Sequence, residues 1–153
     1  MSSEVLLQDL ESFVQQHLPA AVALDLSVTD YNGRQLTAVA PLEKNFNDKR
    51  TAFGGSLYCV SVLACWSMLY LQCRERDIDP DIVIVGANVR YFAPVKDEQF
   101  AAVCTGPEPA QWDSFFEVLR RKGRAKVALS AEVISAGKRG FGFDGEFAVI
   151  GQK

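Results

Sequence analysis

No residue from position 51 to position 73 carries a charge. A chain with such a run must bury it on every side or place it in lipid. A bilayer takes about 20 apolar residues, so length alone permits a span. The run also contains Ser56, Ser61, Ser67 and Gln72 and begins at Gly54-Gly55, and its neighbours in sequence are apolar on one face only. Those neighbours need an apolar partner, so the run is expected to be the core helix of a globular domain, with no membrane span.

The flanking periodicities say how that helix is covered. Leu6, Leu10, Phe13, Val14 and Leu18 recur at helical spacing, and His17-Leu18-Pro19 ends the first helix. Leu24, Leu26 and Val28 alternate, Asn32-Gly33 is a two-residue hairpin signal, and Leu36, Ala38, Ala40 and Leu42 alternate on the return. Residues 43–53 have no period and read as an ordered loop. The core helix should stop near positions 73–77, where charge returns, and Asp79-Pro80-Asp81 turns the chain. A strand over 82–92 carries Val83, Val85, Ala87, Val89 and Tyr91 on one face, and 99–105 is a further strand. Trp112, Phe115, Phe116 and Leu119 mark a surface helix over Pro109–Lys122, stopped by Gly123. Two last strands, with Ala125, Val127, Leu129, Ala131 and Val133 and then Phe141, Phe143, Phe147 and Val149, flank a turn at Gly137. Hairpin-linked strands argue for an antiparallel sheet. The expectation is an α+β single domain over 1–153, with about six strands curled around one long helix.

Composition removes several functions. The chain has 153 residues and a net charge of −3, so no basic field recruits nucleic acid. The Met-Ser-Ser-Glu start lacks the basic and apolar regions of a signal peptide. Cys59, Cys65, Cys73 and Cys104 form no C-x-x-C pair and His17 is the only histidine, so neither a disulfide framework nor a metal site is expected. The thiols read as reduced core residues of a cytoplasmic protein, too buried to act as nucleophiles.

The segment that can carry chemistry is Asn45-Phe46-Asn47-Asp48-Lys49-Arg50-Thr51-Ala52-Phe53-Gly54-Gly55-Ser56. It sets polar side chains and two glycines at the head of a buried helix. The first amides of a helix have no internal partner, and the aligned peptide dipoles add positive potential there. Glycines allow close approach, so the product is a donor site for an anion or for a carbonyl oxygen gaining charge. The simpler alternative is that Thr51 or Ser56 only caps the helix. Ser56 is not a nucleophile on this reading, because the final glycine of a nucleophile elbow is missing.

This segment, continued by Leu57-Tyr58 and by Leu63-Ala64-Cys65-Trp66-Ser67, resembles the putative thioesterase family of bacterial hot-dog-fold domains. Ile82-Val83, Arg90-Tyr91-Phe92-Ala93-Pro94-Val95, Gly123-Arg124-Ala125-Lys126-Val127 and Phe143-Asp144-Gly145 extend the resemblance over most of the chain. Members occur alone or fused behind a GNAT-type acetyltransferase. The resemblance implies a hot-dog fold, a homodimer or dimer of dimers with sites between subunits, and an acyl thioester as substrate. That substrate brings its own coenzyme A or phosphopantetheine, as a small molecule or on an acyl carrier protein, so no cofactor is implied. By the same resemblance the thioester carbonyl meets the amides of Gly55 and Ser56. Phe53 stands where many hot-dog thioesterases have histidine, and the region around Val62 lacks their helical carboxylate. Without a site histidine, a dehydratase is disfavoured. Asp48 becomes the candidate base, with Asn45 and Asn47 orienting water or the carbonyl. Thr51, Phe53, Gly54, Ser61, Arg90, Tyr91 and Phe92 are the candidate substrate-binding residues. Lys49, Arg50, Arg124 and Lys126 are candidates for the phosphates. A non-catalytic acyl-thioester-binding module and a pure dimerisation domain are the other readings.

Overall fold

The computed structural model describes residues 2–151. Helix α1 (Ser3–His17) starts on a cap in which Ser2 accepts from the Val5 amide, and it buries Leu6, Leu10 and Val14. Pro19 then opens a short helix α2 (Pro19–Ala23), for which the sequence gives no periodicity, just before the alternating Leu24, Leu26 and Val28. Asp25 adopts a left-handed φ of 57°, which redirects the chain. The first strand, β1 (Ser27–Tyr31), therefore begins only after Leu24 and Leu26. Strand β2 (Gln35–Pro41) returns antiparallel to it. The Asn32 amide donates to the Gln35 carbonyl, and the Asn32 side chain accepts from the Arg34 and Gln35 amides. The turn is thus centred on Gly33-Arg34, one residue later than Asn32-Gly33.

The uncharged run forms α3 (Gly54–Arg74), 21 residues long. By length and composition it can cross a membrane, yet most of it is buried in the fold. The other elements are β3 (Asp81–Tyr91), β4 (Gln99–Thr105), α4 (Pro109–Lys122), β5 (Ala125–Ser135) and β6 (Lys138–Ile150). The six strands form one antiparallel sheet in the order β1-β2-β4-β5-β6-β3. The sheet curls around α3, which touches β2, β4, β5, β6 and β3. Leu57, Val60, Ala64, Cys65, Met68, Leu69 and Leu71 of α3 meet Phe100, Phe141, Phe143 and Phe147 from the strands in a continuous core. Burying each large apolar side chain stabilises the fold by roughly 1.5–3 kcal/mol. Apart from α2 and the turn shift, the expected elements are present, and α4 ends at Gly123 in the left-handed conformation.

The face of β3 differs from the expected one. Ile82 pairs with Val149 and Ile84 with Phe147, so these two residues share a sheet face with those core residues, Ile82 packing on the core and Ile84 staying exposed at the edge. An irregularity between Ile84 and Gly86 shifts the register, after which Ala87, Val89 and Tyr91 face α3. Val83 thus lies on the opposite face from Val89 and Tyr91. The second edge of β3 pairs with no described strand, and Val83, Ile84, Val85 and Tyr91 are exposed along it.

Candidate active site

The loop before α3 is built by its own asparagines. Phe46 and Ala52 form an isolated antiparallel bridge. Inside it, the Asn47 amide donates to the Thr51 carbonyl at 2.9 Å. The Asn47 side-chain oxygen accepts from the Lys49 and Thr51 amides at 2.9 and 3.1 Å, and its nitrogen meets the Thr51 hydroxyl at 3.0 Å. Arg50 sits at φ 62°, with its guanidinium 4.0 Å above the Phe46 ring. Asn45 works in the other direction. It is buried, and its side-chain nitrogen donates to the carbonyls of Leu24 and Pro41 at 2.9 and 2.8 Å. Its own carbonyl accepts from the Phe53 amide at 2.7 Å, and the Ala52 amide bonds Val95 at 2.8 Å. Both side-chain hydrogens of Asn45 are taken and its side-chain oxygen is buried without a partner, so it braces the loop and does not line the cleft that Asn47 and Thr51 share with Tyr91.

The helix therefore starts from a fixed position, and its first donors stay open. Phe53 is the N-cap, extended at φ −61° and ψ 136°, and makes no side-chain cap bond. Neither Thr51 nor Ser56 caps α3. The Leu57 amide is the first to find an acceptor, the Phe53 carbonyl at 3.0 Å, and the amides of Gly54, Gly55 and Ser56 have none among the described residues. Gly55 is exposed, with the exposed Phe53 ring beside it. Tyr91 closes the other side, its hydroxyl donating to the Gly54 carbonyl at 2.8 Å. Partial burial, with Tyr58 and Cys59 nearby, pushes that hydroxyl above the usual tyrosine range, so it remains a donor. An open cleft of about 350 Å³ lies between these parts, lined by Asn47, Thr51, Gly54, Leu57, Tyr91 and Phe92 among others. Among the described residues no charged side chain lines it, and the peptide dipoles of α3 add positive potential at the helix start.

The sequence matches the family described as "Putative thioesterase (yiiD_Cterm)" over residues 7–151. The chain belongs to this family. It is 36% identical to a protein of unknown function from Chlorobaculum tepidum TLS, with 94% of this chain and 93% of that one covered and a TM-score of 0.90. It is 29% identical to a putative thioesterase from Shewanella oneidensis, with coverages of 97% and 99% and a TM-score of 0.87. A thioesterase from Haemophilus influenzae shares the fold at 14% identity and a TM-score of 0.71, covering 94% of this chain and 90% of that one. The sheet curled around one central helix is thus the hot-dog fold of thioesterase-family proteins.

Within this thioesterase-family chain, the candidate residues separate. Asn47, Thr51, Gly54, Tyr91 and Phe92 line the cleft, whereas Gly55, next in the chain to Gly54, and the Phe53 ring beside it do not. Asp48 sits at the loop tip with its side chain 82% exposed, 3.4 Å from Lys49, and does not line the cleft of the single chain. Arg90 is exposed and pairs with Gly142 on the face of the sheet away from α3. Ser56 is buried as the third residue of α3. Ser61 is fully buried with an unpartnered hydroxyl, so it cannot meet a substrate from the cleft.

Cys59 was expected in the core and is exposed, whereas Cys65, Cys73 and Cys104 are buried. Burial raises the Cys65 thiol well above its ordinary value and pushes Cys73 up to about 12. The signal for Cys59 lay in spacing: it is one helical turn beyond Gly55 and shares its exposed face. The bond from Tyr91 to Gly54 had no local signal, because it joins segments 37 residues apart. Among the described residues, no three His, Cys, Asp or Glu side chains gather to hold a metal ion.

Proposed function

We propose that this protein hydrolyses acyl thioesters of coenzyme A or of an acyl carrier protein. The observation that carries the reading is the uncapped start of α3, where three successive amides lack acceptors among the described residues and the first of them belongs to Gly54, which lines a cleft. A thioester carbonyl seated on the Gly55 amide gains a donor that strengthens as its oxygen becomes negative. Water adds to the carbonyl carbon and yields its proton to Asp48, the carboxylate next to the cleft residue Asn47. The C–S bond then breaks, and the leaving thiolate takes the proton that Asp48 accepted, giving the carboxylic acid and the thiol and restoring the carboxylate. If Asp48 is the base, Asp48→Asn lowers kcat by about 10²–10⁴, the usual range for a lost general base. Near-normal turnover in a steady-state assay over a panel of acyl-CoA chain lengths removes Asp48 from that role.

The functional unit in this reading is a homodimer or a dimer of dimers. The free edge of β3 is 11 residues long and carries exposed Val83, Ile84 and Val85, and pairing with a second copy would cover it. Sedimentation of the native protein tests this, and a monomer at micromolar concentration refutes it. A cytoplasmic location suits four unpaired cysteines, one of them exposed. One observation favours a second reading, a non-catalytic acyl-thioester-binding module: α3 has no carboxylate from its first residue to Cys73. Tight acyl-CoA binding with no turnover at any chain length selects that alternative.

A further inference from the structure

The first turn of α3 is intrinsically its weakest. It opens on two glycines, which lose more backbone freedom on folding than any other residue, and no side chain caps it. An ordinary cap would accept from the second or third helical amide. Such a cap would occupy the donors that the proposed chemistry needs. One side-chain bond does reach this turn, from the opposite end of a peptide unit: the Tyr91 hydroxyl donates to the Gly54 carbonyl at 2.8 Å.

The Gly54 carbonyl and the Gly55 amide belong to one planar group, so holding the first orients the second. A donor on the carbonyl also draws electron density from the nitrogen and makes the N–H more acidic. Linked hydrogen bonds strengthen one another in this way by about 10–30% each. Tyr91 is itself held at the end of β3, its ring centroid 4.8 Å from that of the fully buried Phe141. Gly54 permits the contact, since a Cβ there would lie 3.2 Å from Tyr91 Cε1. We propose that Tyr91 is a positioning residue, whose hydroxyl orients and polarises the Gly54–Gly55 peptide group so that the Gly55 N–H meets the thioester carbonyl. The proposal rests on the thioesterase reading above, which left Tyr91 only as a wall of the cleft.

The test is Tyr91→Phe in the full chain, which keeps the ring against Phe141 and removes the donor. In ¹⁵N-labelled protein without substrate, the Gly55 amide cross-peak should move and exchange faster with solvent, while signals beyond the first turn of α3 stay in place. With acyl-CoA, kcat should fall roughly two- to tenfold, the scale of one hydrogen bond, with KM within about twofold. An unmoved Gly55 signal in Tyr91→Phe overturns the proposal. So does a raised KM at unchanged kcat, which would make Tyr91 a ground-state contact of the substrate. A moved signal in a protein that hydrolyses no acyl thioester supports the orienting bond and overturns the hydrolase reading beneath it.

Discussion

Two glycines face the same steric problem with opposite consequences. A Cβ at Gly55 would lie 2.6 Å from Phe53 Cε2, and a Cβ at Gly145 would lie 2.6 Å from Phe143 Cε1 and 3.0 Å from Phe147 Cε1. Neither glycine has a positive φ, so alanine strains neither backbone. The difference is whether the neighbour can move. Phe53 is 55% exposed and can swing aside, whereas Phe143 and Phe147 are 1% and 0% exposed. Gly145→Ala therefore overpacks the core at about 1–3 kcal/mol, which for a chain of this size lowers Tm by roughly 2–12 °C. Gly55→Ala should leave Tm unchanged within about 2 °C or raise it, because alanine is the better helix former. The added methyl and the displaced ring crowd the approach to the Gly55 amide. Loss of one oxyanion donor costs about 10²–10³ in kcat, so kcat/KM should fall on that scale. Calorimetry gives the first quantity, and loss of thioester absorbance gives the second. Wild-type kcat/KM in Gly55→Ala would refute the seating of the carbonyl on this amide. A loss of Tm equal to that of Gly145→Ala would refute the account of Phe53 as a movable neighbour.

Other expectations follow from burial and bonding. Limited alkylation followed by peptide mass spectrometry should label Cys59 before Cys65, Cys73 or Cys104, the other three being buried. Asn45→Leu should cost about 2–4 kcal/mol in urea unfolding, because it leaves the Leu24 and Pro41 carbonyls without their donor. Gly123→Ala should cost about 1–2 kcal/mol in the same assay, since α4 ends there at φ 76°. Burial pushes Cys73 up to about 12, and Tyr70, also hydrogen-bonded to Asp9, up to about 12. Between the ordinary range of these groups and those values, the unfolded chain binds fewer protons than the folded one. Stability should therefore fall as pH rises from about 9 to about 12, visible as a declining Tm, and a flat Tm over that window contradicts the burial of these groups.

The central helix was legible because an uncharged run needs cover on all sides, and α4 because its stripe and its glycine stop agree. Leu24 and Leu26 misled, since their alternation fits a strand while Pro19 favours a helical turn and Asp25 reverses the chain. At the site, the sequence located the loop and the helix start but not the division of labour within them. Asn45 and Asn47 are two residues apart and chemically identical. One is drawn inward to brace backbone carbonyls, and the other closes a loop that lines the cleft. Only the path of the chain separates them. The Tyr91 bond to Gly54 depends in the same way on the β3–β6 pairing that sets the end of β3 beside the helix.

Strand β3 marks where periodicity alone must fail. A half-buried strand shows its inner face by alternation, and a strand covered on both faces shows none. Residues 82–85 are Ile-Val-Ile-Val, apolar at every position, so the one-residue shift between Ile84 and Gly86 leaves no trace in the pattern. In the single chain this apolar excess has no use, because Val83, Ile84 and Val85 stay exposed beside an open hydrogen-bonding edge. Solvent-facing edges are ordinarily blunted by charge, proline or shortness. This edge has 11 residues, and its only charges, Asp81 and Arg90, stand near its two ends. The proposed second copy would account for both the unalternating composition and the unprotected edge. Val83→Lys and Val85→Lys place charge on the edge without entering the core, and should shift the sedimenting species to monomer. Unchanged association in both variants would mean that copies meet through another face.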